Sequence, residues 1–229
     1  MDKLKGFLTI VIAVTSIVLI VFIANKLLDT TGKVNQGNFR ISDLIIESNA
    51  KVVEVQDKEL EITNLSSLVF DISQTNKISI LIEKNVKASK IYIENIKVTD
   101  PELKGKMTIS QKDYEKYEIT SDLNRIELKI VENNDKYIVD FILNNDNVIM
   151  DKSVDDTITE IQYDGKIFES LGIGIESLVF EISFDLCIED EVGNIVVTNM
   201  KLKMPTDELL SSGMSILRQD VSKYIFTII

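Results

Sequence analysis

An apolar segment near the amino terminus constrains this chain more than any other feature. Residues 7–24 (FLTIVIAVTSIVLIVFIA) contain no charged side chain, and a short start with two lysines precedes them. A helix rises about 1.5 Å per residue, so a hydrocarbon layer about 30 Å thick needs roughly 20 apolar residues. The segment therefore predicts one transmembrane helix that tethers the chain to a membrane.

The same segment predicts an uncleaved signal anchor. Its apolar core is longer than that of a cleaved signal peptide, and bulky residues stand where a peptidase needs small ones: Val21, Phe22 and Ile23. The lysines on the two flanks differ little in number, so the positive-inside bias is slight. We expect residues 1–6 in the cytoplasm, residues 25–37 as a polar juxtamembrane tether, and the bulk of the chain outside the cytoplasm at the cell membrane.

The start of this segment also resembles the processing site of type IV pilin-like proteins. Lys5, Gly6 and Phe7 precede an apolar helix, and in that family cleavage falls between the glycine and the phenylalanine. The family usually carries a glutamate five residues into the mature helix, where this chain has Val11. As an alternative, the resemblance implies a structural subunit of a pilus or secretion apparatus that is cleaved after Gly6.

The charge of the chain bears on its partners. The formal net charge is -12 at pH 7, and residues 7–24 contribute nothing to it. Such an acidic surface repels nucleic acids and anionic lipid headgroups. We therefore expect no nucleic-acid partner, a membrane contact through residues 7–24, and either a protein partner or self-assembly.

Two segments of the chain are nearly identical in sequence. Ser67–Ser73 reads SLVFDIS and Ser177–Ser183 reads SLVFEIS, and the only two prolines, Pro101 and Pro205, follow them at similar distances. A repeat of this kind is typical of a duplicated module. The sequence thus predicts two tandem modules, residues 38–122 and residues 124–229, and leaves open whether they form separate domains or one fused sandwich.

Within both halves the apolar residues alternate with polar ones. Such a period of 2 is typical of strands with one buried face, and it favours stacked antiparallel sheets over helices. The sequence predicts an all-β fold in which each half is a β-sandwich, with a hairpin around Asn133–Asn134–Asp135, turns at residues 144–147 and 191–194, and a short helix at residues 206–212. Ten residues are predicted to be buried: Phe70, Ile72, Ile80, Ile82, Ile126, Leu128, Phe180, Ile182, Phe184 and Leu186.

No pattern in the sequence is typical of an enzyme. The chain has no histidine and a single cysteine, Cys187, which rules out histidine-dependent triads, imidazole zinc sites and an internal disulfide. Cys187 falls on the polar side of an alternating strand and is expected to be half covered. We expect no catalytic residue, no cofactor-binding residue and no cofactor.

Calcium is the metal that the composition best permits, because it binds carboxylate oxygens. Asp155 with Asp156, or the run Glu189, Asp190 and Glu191, could supply two or three ligands. No EF-hand spacing accompanies them, so no metal site is assigned.

These observations lead to an expected function. We expect a non-enzymatic, single-pass, membrane-anchored protein that displays β-sandwich modules for protein interaction or envelope assembly. Duplication of a binding module would raise its effective concentration at a repeated partner. The pilin-like subunit is the first alternative, and a membrane-bound enzyme with an unrecognised site is the second.

Overall fold

A computed structural model of the chain describes residues 37–58, 65–99, 105–111, 116–120, 125–155, 167–170, 172, 174 and 176–229. The predicted cytoplasmic segment, the predicted anchor, the pilin-like cleavage site and the predicted tether up to residue 36 lie outside these residues. Among the residues described, no helix has the length and hydrophobicity to cross a membrane.

Strands make up most of the described chain, and the all-β class is confirmed. The strands are β1 (Phe39–Lys58), β2 (Leu65–Lys84), β3 (Ala88–Thr99), β4 (Lys106–Ser110), β5 (Lys116–Glu118), β6 (Arg125–Leu128), β7 (Val131–Asn133), β8 (Lys136–Asp155), β9 (Glu181–Asp190), β10 (Ile195–Lys203), β11 (Met214–Arg218) and β12 (Thr227–Ile228). The helices are α1 (Ile167–Ser170), α2 (Leu209–Ser212) and a 3₁₀ turn (Glu176–Leu178).

The strands form two antiparallel sheets. Seven strands make the larger sheet in the order β11-β1-β2-β8-β4-β5, with β7 pairing to one end of β8, and five make the smaller sheet in the order β12-β10-β9-β3-β6. The centre of the larger sheet consists of β1, β2 and β8, each 20 residues long. These three strands are about twice as long as β9 and β10.

The two sheets pack face to face around one main hydrophobic core. Phe141 of the larger sheet meets Phe184 of the smaller sheet edge to face at 5.7 Å, and Phe39 meets Phe226 at 6.5 Å. Aromatic pairs prefer this geometry because the ring edge is positive and the face negative. All ten residues predicted to be buried from the alternation are buried.

A second, smaller core lies where the long strands continue beyond the main core. Short helical segments cover the sheet here instead of another sheet, because Phe168 of α1, Leu178 of the 3₁₀ turn and Leu209 of α2 pack into this core. Its other buried members come from the three long strands: Ala50, Phe70, Ile72 and Val148.

A fully buried polar row crosses the larger sheet between these two cores. The Ser48 hydroxyl and the Gln74 amide both donate to the side-chain oxygen of Asn76, and the Asn76 amide donates to the carbonyl of Leu143. Asn145 is also fully buried, and neither atom of its side-chain amide has a partner among the described residues. The inner face of the long strands is therefore apolar, then polar, then apolar along its length.

The two halves of the chain do not form separate sandwiches in the described residues. In the larger sheet β2, from the first half, pairs with β8, from the second, and in the smaller sheet β3 pairs with β9. In these strands the two halves share both sheets, which is the fused arrangement that the sequence had left open beside two separate domains. Alternation decides which face of a strand is buried, but it does not choose the neighbouring strand.

The two similar segments also occupy different places. Ser67–Ser73 lies inside β2 of the larger sheet, whereas Ser177–Ser183 begins in the 3₁₀ turn and ends in β9 of the smaller sheet. The second segment leads into β9, which pairs with the next strand, β10. The first segment lies in β2, and the next strand, β3, belongs to the other sheet. Residues 70–73 and 180–183 share a pattern of burial, but the two segments do not share strand pairing.

The predicted turns have mixed outcomes. The hairpin turn at Asn134 and the turn at residues 191–194 are confirmed, with Asn134 at φ 54° and Gly193 at φ 92°. The first strand of that hairpin is only the three residues of β7, because β6 belongs to the smaller sheet. The turn predicted at residues 144–147 was wrong, because β8 continues through it. The helix predicted at residues 206–212 is confirmed only as the four residues of α2, which ends at Gly213 in the left-handed conformation.

Candidate functional site: a charged groove over a β-bulge

The most distinctive local feature of the larger sheet is a bulge in β8. Ile72 of β2 lies opposite Val148 and Gln74 lies opposite Asn145, so Ser73 alone faces two residues of β8, Asp146 and Asn147. Asn147 takes a left-handed backbone conformation with φ 59°. Asparagine tolerates this conformation better than most residues, and the extra residue bends the strand and increases its twist.

A groove lies over this bulge on the outer face of the sheet, the face turned away from the smaller sheet. Its volume is about 630 Å³. Five strands supply its lining, because residues of β1, β2, β8, β4 and β5 all reach it. The lining residues are Lys51, Val53, Asp71, Ser73, Lys106, Thr108, Lys116, Glu118, Asp146 and Asn147.

Asp146 is the best-connected side chain of the groove. One carboxylate oxygen lies 2.6 Å from Nζ of Lys116, and the other accepts a hydrogen bond of 2.8 Å from the Ser73 hydroxyl. Burial opposes ionisation here, but the hydrogen bonds from Lys116 and Ser73 outweigh it and lower the pKa of Asp146. Asp146 is therefore a charged anchor that links β8 to β5 and β2.

A second ion pair closes one wall of the groove. Nζ of Lys106 lies 2.8 Å from a carboxylate oxygen of Glu118, joining β4 to β5. Both side chains are about half exposed, so the pair is open to solvent and its attraction is screened. Such a pair can exchange its partner for a group on another molecule at little cost.

Two exposed aliphatic side chains lie next to these charges. Val53 is 60% exposed and Ile149 is 45% exposed. Ile149 lies directly opposite Asp71 in the β2–β8 pairing, and Glu54, the neighbour of Val53, lies opposite Asp71 in the β1–β2 pairing. A row of Val53, Asp71 and Ile149 therefore crosses three strands, with an apolar group on each side of a carboxylate.

The floor of the groove is closely packed. On the inner face of the same bulge lie the buried amides of Gln74 and Asn145. Gly105, just before β4, packs against the Asn145 side chain so closely that a Cβ at this position would collide with that side chain, with Val148 and with the backbone of Asp146. The backbone therefore has little free space beneath the bulge.

The residues singled out from sequence do not come together in this groove. Cys187 was expected to be half covered, but it is fully buried on the outer side of the smaller sheet, opposite Tyr92 of β3 and Val197 of β10. The guanidinium of Arg125 lies 3.3 Å from the centre of the Tyr92 ring. The expectation failed because side chains of neighbouring strands cover Cys187. The alternation within β9 does not show what those neighbours carry.

Burial raises the pKa of the Cys187 thiol to about 12, and the nearby Glu94 carboxylate adds to the shift. A thiol with so high a pKa stays protonated at neutral pH. A protonated thiol is a weak nucleophile and a weak metal ligand. Cys187 therefore contributes to packing and not to chemistry.

Of the acidic residues considered for calcium, Asp190 has other partners, and Asp156 and the side chain of Asp155 lie outside the described residues. Asp190 accepts hydrogen bonds from the backbone N–H groups of Val192 and Asn194 and from the Asn194 amide, all at 2.9 Å, and these bonds lower the pKa of its carboxyl. It therefore stabilises a turn. Within the described part of the chain, no three acidic or cysteine residues are grouped so that they could hold a metal ion.

The sequence analysis missed the groove, because residues 144–147 were interpreted as a turn. The continuing alternation on both sides of Asn144–Asn147 was the one sequence feature that indicated a bulge inside a single strand.

The geometry defines a two-sheet, all-β protein with an open, charged groove. Comparison of the chain with protein-family models, with curated proteins and with solved structures finds no match.

Proposed function

We propose that this chain is a non-enzymatic, membrane-anchored protein that presents the groove over the β8 bulge to a protein partner outside the cytoplasm. Residues 7–24 provide the anchor in this proposal, and the two sheets provide a rigid support for the groove. The proposal retains the expectation from sequence of an interaction protein and moves the interaction surface from duplicated modules to a single sheet face.

The charge balance of the groove is the observation that supports this proposal most directly. Three lysines and three carboxylates line it, so its formal charge is zero on a chain of net charge -12: Lys51, Lys106, Lys116, Asp71, Glu118 and Asp146. A groove for a polyanion or a cation would carry an excess of one sign. A balanced set of charges beside exposed aliphatic groups is typical of protein interfaces, where apolar contact is combined with a polar rim.

In vivo photocrosslinking would test the groove. A photoreactive amino acid replaces Val53 in the full chain in one variant, and Lys203 in the matched control. Both positions are exposed, but Lys203 lies at the end of β10 in the smaller sheet. We expect a discrete crosslinked protein of defined mass from position 53 and none from position 203.

Two further variants connect that adduct to the charges of the groove. Lys116→Glu should remove the adduct from position 53, because it places a third carboxylate beside Asp146 and Glu118. Lys116→Arg retains the charge and should retain the adduct. Identical adducts at positions 53 and 203, or an adduct that survives Lys116→Glu, would contradict the proposal.

The anchor is tested separately by fractionation. The full chain should remain with membranes through an alkaline carbonate wash, and a chain lacking residues 7–24 should not. An intact mass that begins at Phe7 would instead favour the pilin-like subunit. A chain recovered quantitatively in the soluble fraction would overturn the anchored assignment.

A further inference from the structure

One end of the sandwich combines the point where the chain joins the amino-terminal segment with a group of exposed apolar side chains. Gly37 is the first described residue, and its carbonyl accepts a hydrogen bond from the Asn85 side chain in the turn between β2 and β3. We name this the Gly37 end. Strand direction determines what else lies there: the hairpin turn between β7 and β8, the turn between β9 and β10, and Ile229.

Backbone hydrogen bonds confirm that these turns lie together. Lys84 N–H donates to the carbonyl of Asp135 in the β7–β8 turn, and Glu191 N–H donates to the carbonyl of Lys87. At the carboxyl terminus, Ile229 N–H donates to the carbonyl of Ile195, the first residue of β10. The Gly37 end is therefore one continuous surface that includes contributions from both sheets.

Three large aliphatic residues on this surface are exposed to solvent. Val192 at the tip of the β9–β10 turn is 86% exposed, Ile229 is 71% exposed and Ile225 is 60% exposed. Val192 and Ile229 are the two most exposed large hydrophobic residues among those described. A single exposed aliphatic residue is normal on a protein surface, whereas several of them on one face indicate a surface that contacts a protein or a membrane.

Ile225 borders a groove that begins at Gly37 itself. The groove has a volume of about 540 Å³ and is lined on one side by the start of β1 and on the other by residues 220–226. Phe39 and Phe226 form its packed base. The exposed apolar groups and the entry of the amino-terminal segment thus share one face.

Chain length limits how far this face can lie from the anchor. Between Ala24, the last residue of the apolar segment, and Gly37 there are twelve residues. Even a fully extended chain spans at most about 3.5 Å per residue, so these residues limit the distance between Ala24 and Gly37 to about 45 Å. Gly37 is thus the point of the sandwich that is attached to the proposed anchor by the shortest stretch of chain.

We propose that the Gly37 end lies against the bilayer and inserts Val192 and Ile229 into its interfacial region, with Ile225 on the adjacent side of the groove that begins at Gly37. This inference rests on the proposed anchor at residues 7–24. The occupant is a lipid surface because the exposed apolar residues lie at the end of the sandwich that leads to the proposed anchor, where the membrane is the nearest apolar phase. A net charge of -12 disfavours anionic headgroups, so the surface suited to this end is a zwitterionic one.

This orientation places the groove over the β8 bulge far from the membrane. Val53 lies fourteen residues along β1 from Phe39, and a strand rises about 3.3 Å per residue. The groove over the bulge is then held roughly 45 Å from the bilayer surface along the direction of the long strands. The three 20-residue strands act as a spacer between the membrane and the partner.

Fluorescent labelling of single cysteines tests the inference. The full chain is prepared as Val192→Cys and, as a matched control, Val53→Cys; both replace an exposed valine. Native Cys187 is buried and its pKa is raised, so a maleimide at pH 7 labels the introduced cysteine. Each labelled chain is reconstituted into phosphatidylcholine vesicles that contain a lipid with a spin label near its headgroup.

We expect the probe at position 192 to emit at shorter wavelength and to be quenched by the spin-labelled lipid at least threefold more than the probe at position 53. Equal quenching at both positions in chains that float with the vesicles would overturn this inference and leave the proposed function intact. Quenching at position 192 that disappears when the chain is diluted in lipid would assign this end to a second copy and would also overturn it. Chains that do not float with the vesicles would overturn the anchor itself.

Discussion

Individual residues follow the alternating pattern closely wherever one face of a strand meets the core. Phe184, Leu186 and Ile188 are fully buried on the inner face of β9. Cys187 is the exception, because it belongs to the outer face and is nevertheless fully buried. Burial on an outer face depends on what the neighbouring strands carry, and here Tyr92 lies beside it on β3. The chemistry of this thiol is therefore decided by its neighbours.

The thiol of Cys187 is expected to be unreactive in the folded chain. Burial raises its pKa to about 12, so very little thiolate forms at pH 8, and the sulfur is closed to reagents. A disulfide exchange reagent at pH 8 should leave the native chain unmodified and should modify one thiol per chain in denaturant. A Cys187→Ser variant should show no modification in either state. Rapid modification of the native chain would contradict the burial.

The ion pair between Asp43 and Arg218 should make stability depend on pH. The guanidinium donates two hydrogen bonds, of 2.7 and 2.6 Å, and lowers the pKa of Asp43 in the folded state. The stabilisation is fully present above the unfolded pKa of about 3.9 and is lost as the pH falls through the lower folded value. The pair connects β11 to β1, so its loss loosens an edge strand.

Urea denaturation of Asp43→Asn measures this contribution. At pH 7 the variant should have a lower free energy of unfolding than the parent chain, and the difference should shrink as the pH falls towards 2.5. The parent should therefore lose more stability than the variant between these two pH values. A difference that stays constant with pH would show that the charge of Asp43 does not stabilise the fold.

At the scale of elements, the long strands owe their shape to local irregularities. The pairing of β1 with β2 shifts register twice, and that of β2 with β8 shifts once, at the bulge. A strand that bulges twists more strongly, which lets a sheet of 20-residue strands curve over both cores. The run at residues 126–131 is interrupted instead of bent, because β6 belongs to the smaller sheet and β7 to the larger sheet. The chain changes sheet between them.

Asn147 should be the residue on which the bulge depends. Its φ of 59° is strained for a β-branched side chain, and a left-handed conformation costs roughly 1–2 kcal/mol for an ordinary residue. Asn147→Val should lower the free energy of unfolding by about that amount, whereas Asn147→Gly should leave it unchanged or raise it slightly. Denaturant unfolding of the three proteins is the measurement. Equal stability of the valine and glycine variants would show that the bulge relaxes.

At the scale of the whole molecule, the two halves of the chain are interleaved. Each sheet combines strands from before and after residue 123: the larger sheet contains β1, β2, β4 and β5 with β7, β8 and β11, and the smaller sheet contains β3 with β6, β9, β10 and β12. The core contact between Phe141 and Phe184 lies within the second half, whereas the contact between Phe39 and Phe226 joins the first half to the second. Neither half contains a complete sheet pair of its own.

Cleavage of the chain between the halves should therefore leave it assembled. A protease site inserted after residue 122 would allow the full chain to be cut in detergent. The two fragments should elute together under native conditions and separate only in denaturant, because β2 and β8 remain hydrogen-bonded along their length. Residues 38–122 produced alone should lack the cooperative unfolding of the full chain. Fragments that separate without denaturant would restore the two-module organisation.

The sequence by itself determined the all-β class and the buried face of each strand, because both follow from a period of 2 in side-chain polarity. Turns with Asn134 and Gly193 were also readable, since a positive φ restricts the residue type. Strand partners were not, because many alternating strands can pair equally well and only the packing of the whole sheet selects among them. The groove likewise depends on how the strands pair. Its ten residues come from five strands, and only the tertiary structure brings Lys51, Asp146 and Lys116 to one face.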